Sequence, residues 1–131
     1  MKFYLAIKYH PNNQNKGFIE TLCSILADLG FHSTVITRDV EKWGTKKLGP
    51  QELMEYTFHA IDKCDVVLVE FSEKGVGLGI EAGYAFARSK PIIVIAKKGS
   101  EISTTLRGIA TEVLIYKDYD ELREILGSLR E

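Results

Sequence analysis

Two stretches of this chain, Val66-Val67-Leu68-Val69 and Ile92-Ile93-Val94-Ile95-Ala96, contain no polar residue. A strand with one wetted face alternates apolar and polar side chains, so an unbroken apolar strand implies a sheet covered on both faces, as parallel sheets are by their crossover helices. The rest of the sequence supplies those helices. Phe18, Leu22, Ile25, Leu26 and Leu29 recur at spacings of three and four, which predicts a helix from about Gly17 to Leu29, with Gly30 at its left-handed cap. Leu53, Met54, Thr57, Phe58 and Ile61 mark a second helix from Gln51 to Lys63, with Glu55, His59 and Asp62 on its solvated stripe. Further helices are expected from about Gly79 to Arg88, over Ser103 to Ile109 and from Tyr119 to Leu129. Strands are expected at Phe3–Ile7, His32–Thr37, Val66–Val69, Pro91–Ala96 and Val113–Tyr116, with Pro91 at a strand's first residue, where a missing N–H is tolerated. The implied architecture is one doubly wound α/β domain over residues 1–131: a five-stranded parallel sheet with helices on both faces, Rossmann- or flavodoxin-like.

In such sheets ligands bind beyond the carboxyl ends of the strands, where the strand order reverses. The loop after the first strand, the long Arg38–Pro50 segment and the glycine run after the third strand should meet there. Gly75, Gly77 and Gly79 let the backbone approach a ligand and turn amide N–H groups toward it. Glu81 follows, expected in the first helical turn, where the helix dipole would keep it ionised and ready for nucleophilic attack or proton abstraction. A carboxylate there also complements a helix N-terminus without any catalytic role. Gly77-x-Gly79-x-x-Ala82 satisfies a relaxed dinucleotide fingerprint, yet that fingerprint belongs after the first strand, where His10-Pro11-Asn12 stands here. No cofactor is therefore expected, and a nucleotide-dependent oxidoreductase or flavodoxin-like carrier rests on fold alone.

Around Glu81 the sequence resembles the nucleoside 2-deoxyribosyltransferase family, which includes the 2-deoxynucleoside 5-monophosphate N-glycosidases. Cys64-Asp65-Val66-Val67-Leu68-Val69-Glu70, the Gly75–Ala85 block and Lys90-Pro91-Ile92-Ile93-Val94-Ile95 carry the resemblance, with looser matches at Tyr4-Leu5-Ala6 and Ser103-Thr104-Thr105-Leu106-Arg107-Gly108. The specific part is Gly-Leu-Gly-Ile-Glu-Ala-Gly-Tyr-Ala, residues 77–85. The resemblance implies an enzyme, hydrolase or transferase, that acts at the N-glycosidic bond of a (deoxy)nucleoside or its 5-monophosphate. Glu81 would attack the anomeric carbon to give a covalent glycosyl intermediate, and Tyr4 would position it. A homo-oligomer is implied as well, with Ser103 serving a neighbouring subunit.

The chain also departs from that family. Where members carry an aspartate on the helix before the third strand, the matching residue is Thr57, which can hydrogen-bond but cannot shuttle protons near neutral pH. Glu55 and His59 cannot replace it, because two residues along a helix turn the side chain by about 200°. Three readings follow: the proton comes from elsewhere, with His10 and His32 as distant candidates; the substrate assists itself; or the protein is a non-catalytic nucleotide-binding module. Of the family's phosphate-binding serines, Ser103 matches one and Gly75 replaces the other. Lys8, Arg38 and Trp43 are the further candidates for contacting phosphate or base, each equally readable as a surface or loop-anchoring residue.

Charge and cysteine content narrow the partners. Lys and Arg number 17 against 18 Asp and Glu, a formal net charge of −1, which opposes a nucleic-acid polymer but suits a small nucleotide held by local donors. Apolar runs of four to five residues are far short of the ~20 that cross a bilayer, so no membrane association is expected. Two cysteines, Cys23 and Cys64, form neither a disulfide framework nor a metal-ligand spacing, so no metal and a cytoplasmic location are expected.

Overall fold

A computed structural model describes residues 1–130. The chain runs β1 (Lys2–Ile7), α1 (Lys16–Asp28), β2 (His32–Thr34), α2 (Ile36–Asp39), α3 (Pro50–Lys63), β3 (Val66–Glu70), α4 (Val76–Ala87), β4 (Ile92–Lys97), α5 (Thr104–Ile109), β5 (Glu112–Tyr116) and α6 (Tyr119–Gly127), with 3-10 turns at Pro11–Asn13 and Ser128–Arg130. The five strands lie in the order β2-β1-β3-β4-β5, all pairs parallel. Between β1 and β3 the winding direction reverses, which fixes the switch point where a ligand is expected.

Alternation along the strands divides the interior in two. Phe3, Leu5, Leu68, Ile93 and Ile95 pack with α1 and α6, while Tyr4, Ala6, Val67, Val69, Ile92 and Val94 pack with α3, α4 and α5. Both faces of β3 are buried, as its uniformly apolar sequence requires. Each such aliphatic side chain contributes ~1.5–3 kcal/mol by leaving water. Helix starts follow local chemistry: Pro50 occupies the first turn of α3, the Ser103 hydroxyl accepts from Leu106 N–H at 3.3 Å, and the Asp118 carboxylate accepts from Glu121 N–H at 2.8 Å. Among the described residues no helix is long and apolar enough to cross a membrane.

Two boundaries differ by three residues from those the sequence suggested, and both shape the site. The second strand ends at Thr34, and Ile36–Asp39 is a turn of helix instead of strand. Asp39 is responsible: its carboxylate accepts from Val35 N–H at 3.0 Å while its own N–H donates to Val35 C=O at 2.9 Å, which curls this edge segment. The fourth helix begins at Val76, three residues earlier than Gly79, so Gly77 and Gly79 lie inside it and Gly75 is its N-cap. Asp62, expected on a solvated stripe, instead accepts from Tyr84 Oη at 2.9 Å and from Arg88 Nε at 2.8 Å, joining α3 to α4.

Candidate active site

Tyr4 projects from β1 on the α3–α4 side and is 1% exposed. Its hydroxyl donates to the Glu81 carboxylate, reached from α4 across 77 positions of sequence. Because α4 starts at Val76, Glu81 stands in the second turn, not the first, and the helix terminus does not govern its charge. Burial does. Desolvation pushes the Glu81 carboxyl up to about 7, and the hydrogen bond from Tyr4 opposes that rise. The Tyr4 phenol is driven well above its ordinary value, first by burial and then by the Glu81 charge, while contact with the Thr57 hydroxyl pulls it the other way.

This pair borders a cleft of about 180 Å³ at the switch point. Leu53, Met54 and Thr57 of α3 form one wall, Val35, Ile36, Thr37 and Glu41 another, and Gly77 with Glu81 a third. A methyl group at Gly77 would meet Glu81 Oε1 at 3.8 Å, an ordinary van der Waals contact, so glycine leaves more room beside the carboxylate. Thr57 is 4% exposed and its hydroxyl donates to Leu53 C=O at 2.9 Å, which commits its only proton to the backbone. The cleft thus offers a poised carboxylate, a buried phenol donor and a mostly apolar surround, an arrangement suited to attack on an electrophilic carbon.

A second cleft, about 580 Å³, opens on the other flank of α4 and is lined by Gly75, Val76, Gly79, Ala82, Lys74, Ser103, Thr105 and apolar residues of α5 and the β3–α4 connection. Gly75, Gly79 and Ser103 therefore share a wall, whereas Gly77 faces Glu81. A Cβ at Gly79 would meet nothing within 4 Å. The connection leading into α4 is held from beneath. Glu70, 3% exposed at the end of β3, accepts from Ser72 N–H at 2.8 Å, Ser72 Oγ at 2.7 Å and the Tyr116 hydroxyl, and Ser72 Oγ accepts from Lys97 N–H at 2.9 Å.

Several residues singled out from sequence are occupied elsewhere. Lys8 donates to Lys74 C=O at 3.3 Å and does not line the Glu81 cleft; its cation ties the first loop to the glycine loop. Arg38 lines neither flanking cleft, because its guanidinium is spent on Asp39 at 2.7 Å and Ser33 C=O at 2.9 Å. Trp43 packs beside Tyr9 at 6.4 Å and under the Lys16 ammonium at 5.0 Å, anchoring the long loop. His10 bonds Glu73 at 2.6 Å, and His32 lies in the register opposite Lys2, at the far end of the sheet, so neither histidine reaches Glu81. Glu41 was not foreseen at the site, since nothing in its neighbourhood distinguishes it from other loop acids. Among the described residues no cluster of His, Cys, Asp or Glu could hold a metal ion.

Comparison with known proteins finds relatives of this chain. The sequence profile of the family described as nucleoside 2-deoxyribosyltransferase matches residues 3–118. A Thermofilum pendens protein named "Putative 2'-deoxynucleoside 5'-phosphate N-hydrolase 1" is 30% identical, the alignment covering 98% of this chain and 94% of that one. The Clostridium botulinum CMP N-glycosidase BcmB superposes with a TM-score of 0.74 at 22% identity, over 98% of this chain and 99% of the other. The 2-deoxyribosyltransferase of Bacillus psychrosaccharolyticus gives 0.71 at 16% identity, over 94% and 90%. At those identities the two structures speak for a shared fold.

Proposed function

This chain belongs to the nucleoside 2-deoxyribosyltransferase family, and on that premise we propose that it breaks the N-glycosidic bond of a 2-deoxynucleoside or its 5-monophosphate with Glu81 as nucleophile. The observation that carries the reading is the Tyr4–Glu81 hydrogen bond at the rim of the switch-point cleft, because it gives the family's reacting carboxylate a fixed direction. A Glu81 oxygen forms a bond to the anomeric carbon as the carbon–nitrogen bond breaks, its electron pair leaving with the base. Water then attacks the same carbon and frees Glu81, or a second base does so and the product is a new nucleoside. The hydrolytic outcome is favoured by the 30%-identical relative, whose name is that of an N-hydrolase. Tyr4 holds the carboxylate during attack and stabilises it as it is released.

A 5-phosphate fits the wall shared by Gly75, Gly79 and Ser103, where the first amides of α4 and the Ser103 hydroxyl can donate. We assign the protein to the cytoplasm, a location suited to its two buried free thiols, Cys23 and Cys64. A homo-oligomer is supported by Val76, Ile80 and Phe86, apolar residues of α4 that are 83%, 47% and 58% exposed.

The competing reading, a nucleotide-binding module without catalysis, is favoured by Thr57, whose proton is committed to Leu53. Incubation with a panel of deoxynucleosides and their 5-monophosphates decides between them. The enzyme releases free base, followed by chromatography, and Glu81→Gln abolishes the release. Nucleotide binding with no base released from any substrate would establish the module instead. Adding a second free base separates hydrolysis, which yields free sugar, from transfer, which yields an exchanged nucleoside.

A further inference from the structure

We propose that Glu41, from the loop after α2, is the proton donor to the departing base in the Glu81 cleft. The inference deepens the proposed glycosidic cleavage and rests on it. A base leaves an anomeric carbon readily only when a positioned acid protonates it, a contribution of ~10²–10⁴-fold in rate. Among the residues lining the cleft, Tyr4, Thr37, Glu41, Thr57 and Glu81 are the ones whose side chains have an oxygen through which a proton can pass. Glu81 is the nucleophile, and Tyr4 already donates to it, with a phenol that burial has made a still weaker acid. Threonine hydroxyls do not give up a proton near neutral pH, and that of Thr57 is bonded to Leu53 C=O. Glu41 remains. Its carboxylate has no hydrogen-bond or ion-pair partner among the described residues, although it borders the cleft and is half-buried.

The backbone around Glu41 is held as a catalytic position would need. Its N–H donates to Ile36 C=O at 2.9 Å, and its C=O accepts from Gly44 N–H and Lys46 N–H at 3.0 Å each. Lys42, Trp43 and Gly44 follow with φ of 49°, 58° and 85°, three consecutive left-handed residues of which two are not glycine. Such backbone persists only where surrounding contacts over-determine it. Here Trp43 N–H donates to Thr37 C=O at 2.8 Å, and its ring packs near Tyr9.

In the step assigned, the Glu81 carboxylate bonds to the anomeric carbon, the carbon–nitrogen pair goes to the base, and the Glu41 carboxyl proton joins the base. Glu41, now a carboxylate, takes a proton from the water that attacks the glycosyl ester, which returns both carboxyl groups to their starting states. The site thereby works as a two-carboxylate glycosidase whose members come from opposite sides of the cleft, α4 and the α2–α3 loop.

Single-turnover release of base, measured for wild type and Glu41→Gln on paired substrates, tests the assignment. One substrate of each pair carries guanine; the other carries 7-methylguanine, whose ring already bears the positive charge that protonation would supply, so that it departs without needing a proton. The expected result is a loss of ~10²–10⁴-fold on ordinary bases that shrinks to less than about tenfold on the pre-activated ones, which also shows that the variant is folded. Equal losses on both members of a pair would overturn the assignment by making Glu41 a base-binding residue, and undiminished rates would remove it from the site. Either of those outcomes leaves the proposed cleavage standing. Wild-type protein that releases no base from any substrate would instead remove the cleavage, and the donor with it.

Discussion

At Glu81 two influences compete: burial disfavours the charged carboxylate, and the Tyr4 hydroxyl favours it. Burial prevails, since the carboxyl titrates at about 7. The proposed nucleophile must be ionised, so on the pre-activated substrate, whose base needs no acid, kcat/KM for base release should rise with pH through about 7 and level off above it. Tyr4→Phe removes the opposing hydrogen bond, so the rise should move to higher pH as well as the rate falling; a pH–rate profile of both proteins checks this. The same shift has a thermodynamic consequence. An acid whose native value lies above its unfolded value, ordinarily ~4.3, binds its proton more tightly when folded, and that stabilisation is present below pH ~4.3 and lost as pH rises to about 7. Above pH 7 the buried charge costs on the order of 3 kcal/mol. Glu81→Gln should therefore raise the melting temperature at pH 8 and change it little at pH 4, the reverse of what loss of a structural carboxylate would do. An equal change at both pH values would mean that Glu81 is solvated in the native state.

Among the elements, the junction of β3 and α4 leads into the candidate site, and it is tied by a carboxyl group with no part in the proposed reaction. Glu70 satisfies its oxygens with Ser72 and Tyr116, and burial together with Glu70 holds the Tyr116 phenol well above its ordinary value. Tyr116→Phe deletes a donor to a buried carboxyl group and should lower stability by about 1–2 kcal/mol in urea unfolding. A smaller drop in kcat should accompany it, because Ser72 precedes the loop that delivers Gly75 and Glu81. Stability unchanged within error would mean that water replaces the phenol. The sequence made β3 and β4 plain because an apolar run without interruption has few other uses. It misplaced the start of α4, since glycines at 77 and 79 disfavour helix locally and only packing of Leu78, Ala82 and Ala85 outweighs that. It extended β2 to Thr37 for the complementary reason, because Val35 and Ile36 have strand propensity but Asp39 captures the Val35 N–H. Glu81 and Tyr4 were legible through a motif and a resemblance. Glu41 was not, because nothing in its neighbourhood distinguishes it from other loop acids, and its place beside the cleft follows from the turn at Ile36–Asp39, whose Ile36 C=O its N–H meets.

On the scale of the whole molecule, the strand order puts Tyr4 and Glu81 at a reversal of winding, where α3 and the segment before it border the cleft. Glu81 faces one cleft, and Ser103 with Gly75 faces another across the start of α4. A nucleoside monophosphate would have to span the end of this helix, with its sugar at Glu81 and its phosphate toward Gly75. The larger cleft is walled chiefly by apolar side chains, and Val76 at its edge is 83% exposed, so a wall is wanting where the phosphate would lie. In the homo-oligomer proposed above, a second copy of the chain docking along α4 would supply that wall and cover Phe86, 58% exposed, with the same contact. Phe86→Glu places a charge in the proposed contact while leaving Tyr4, Glu41 and Glu81 untouched. Sedimentation velocity should then show a dimer or larger assembly for the wild type and a monomer for the variant. Base release from 5-monophosphates should fall further than release from unphosphorylated nucleosides, because the lost wall borders the phosphate and not the anomeric carbon. A monomeric wild type of full activity would show that one chain completes the site alone.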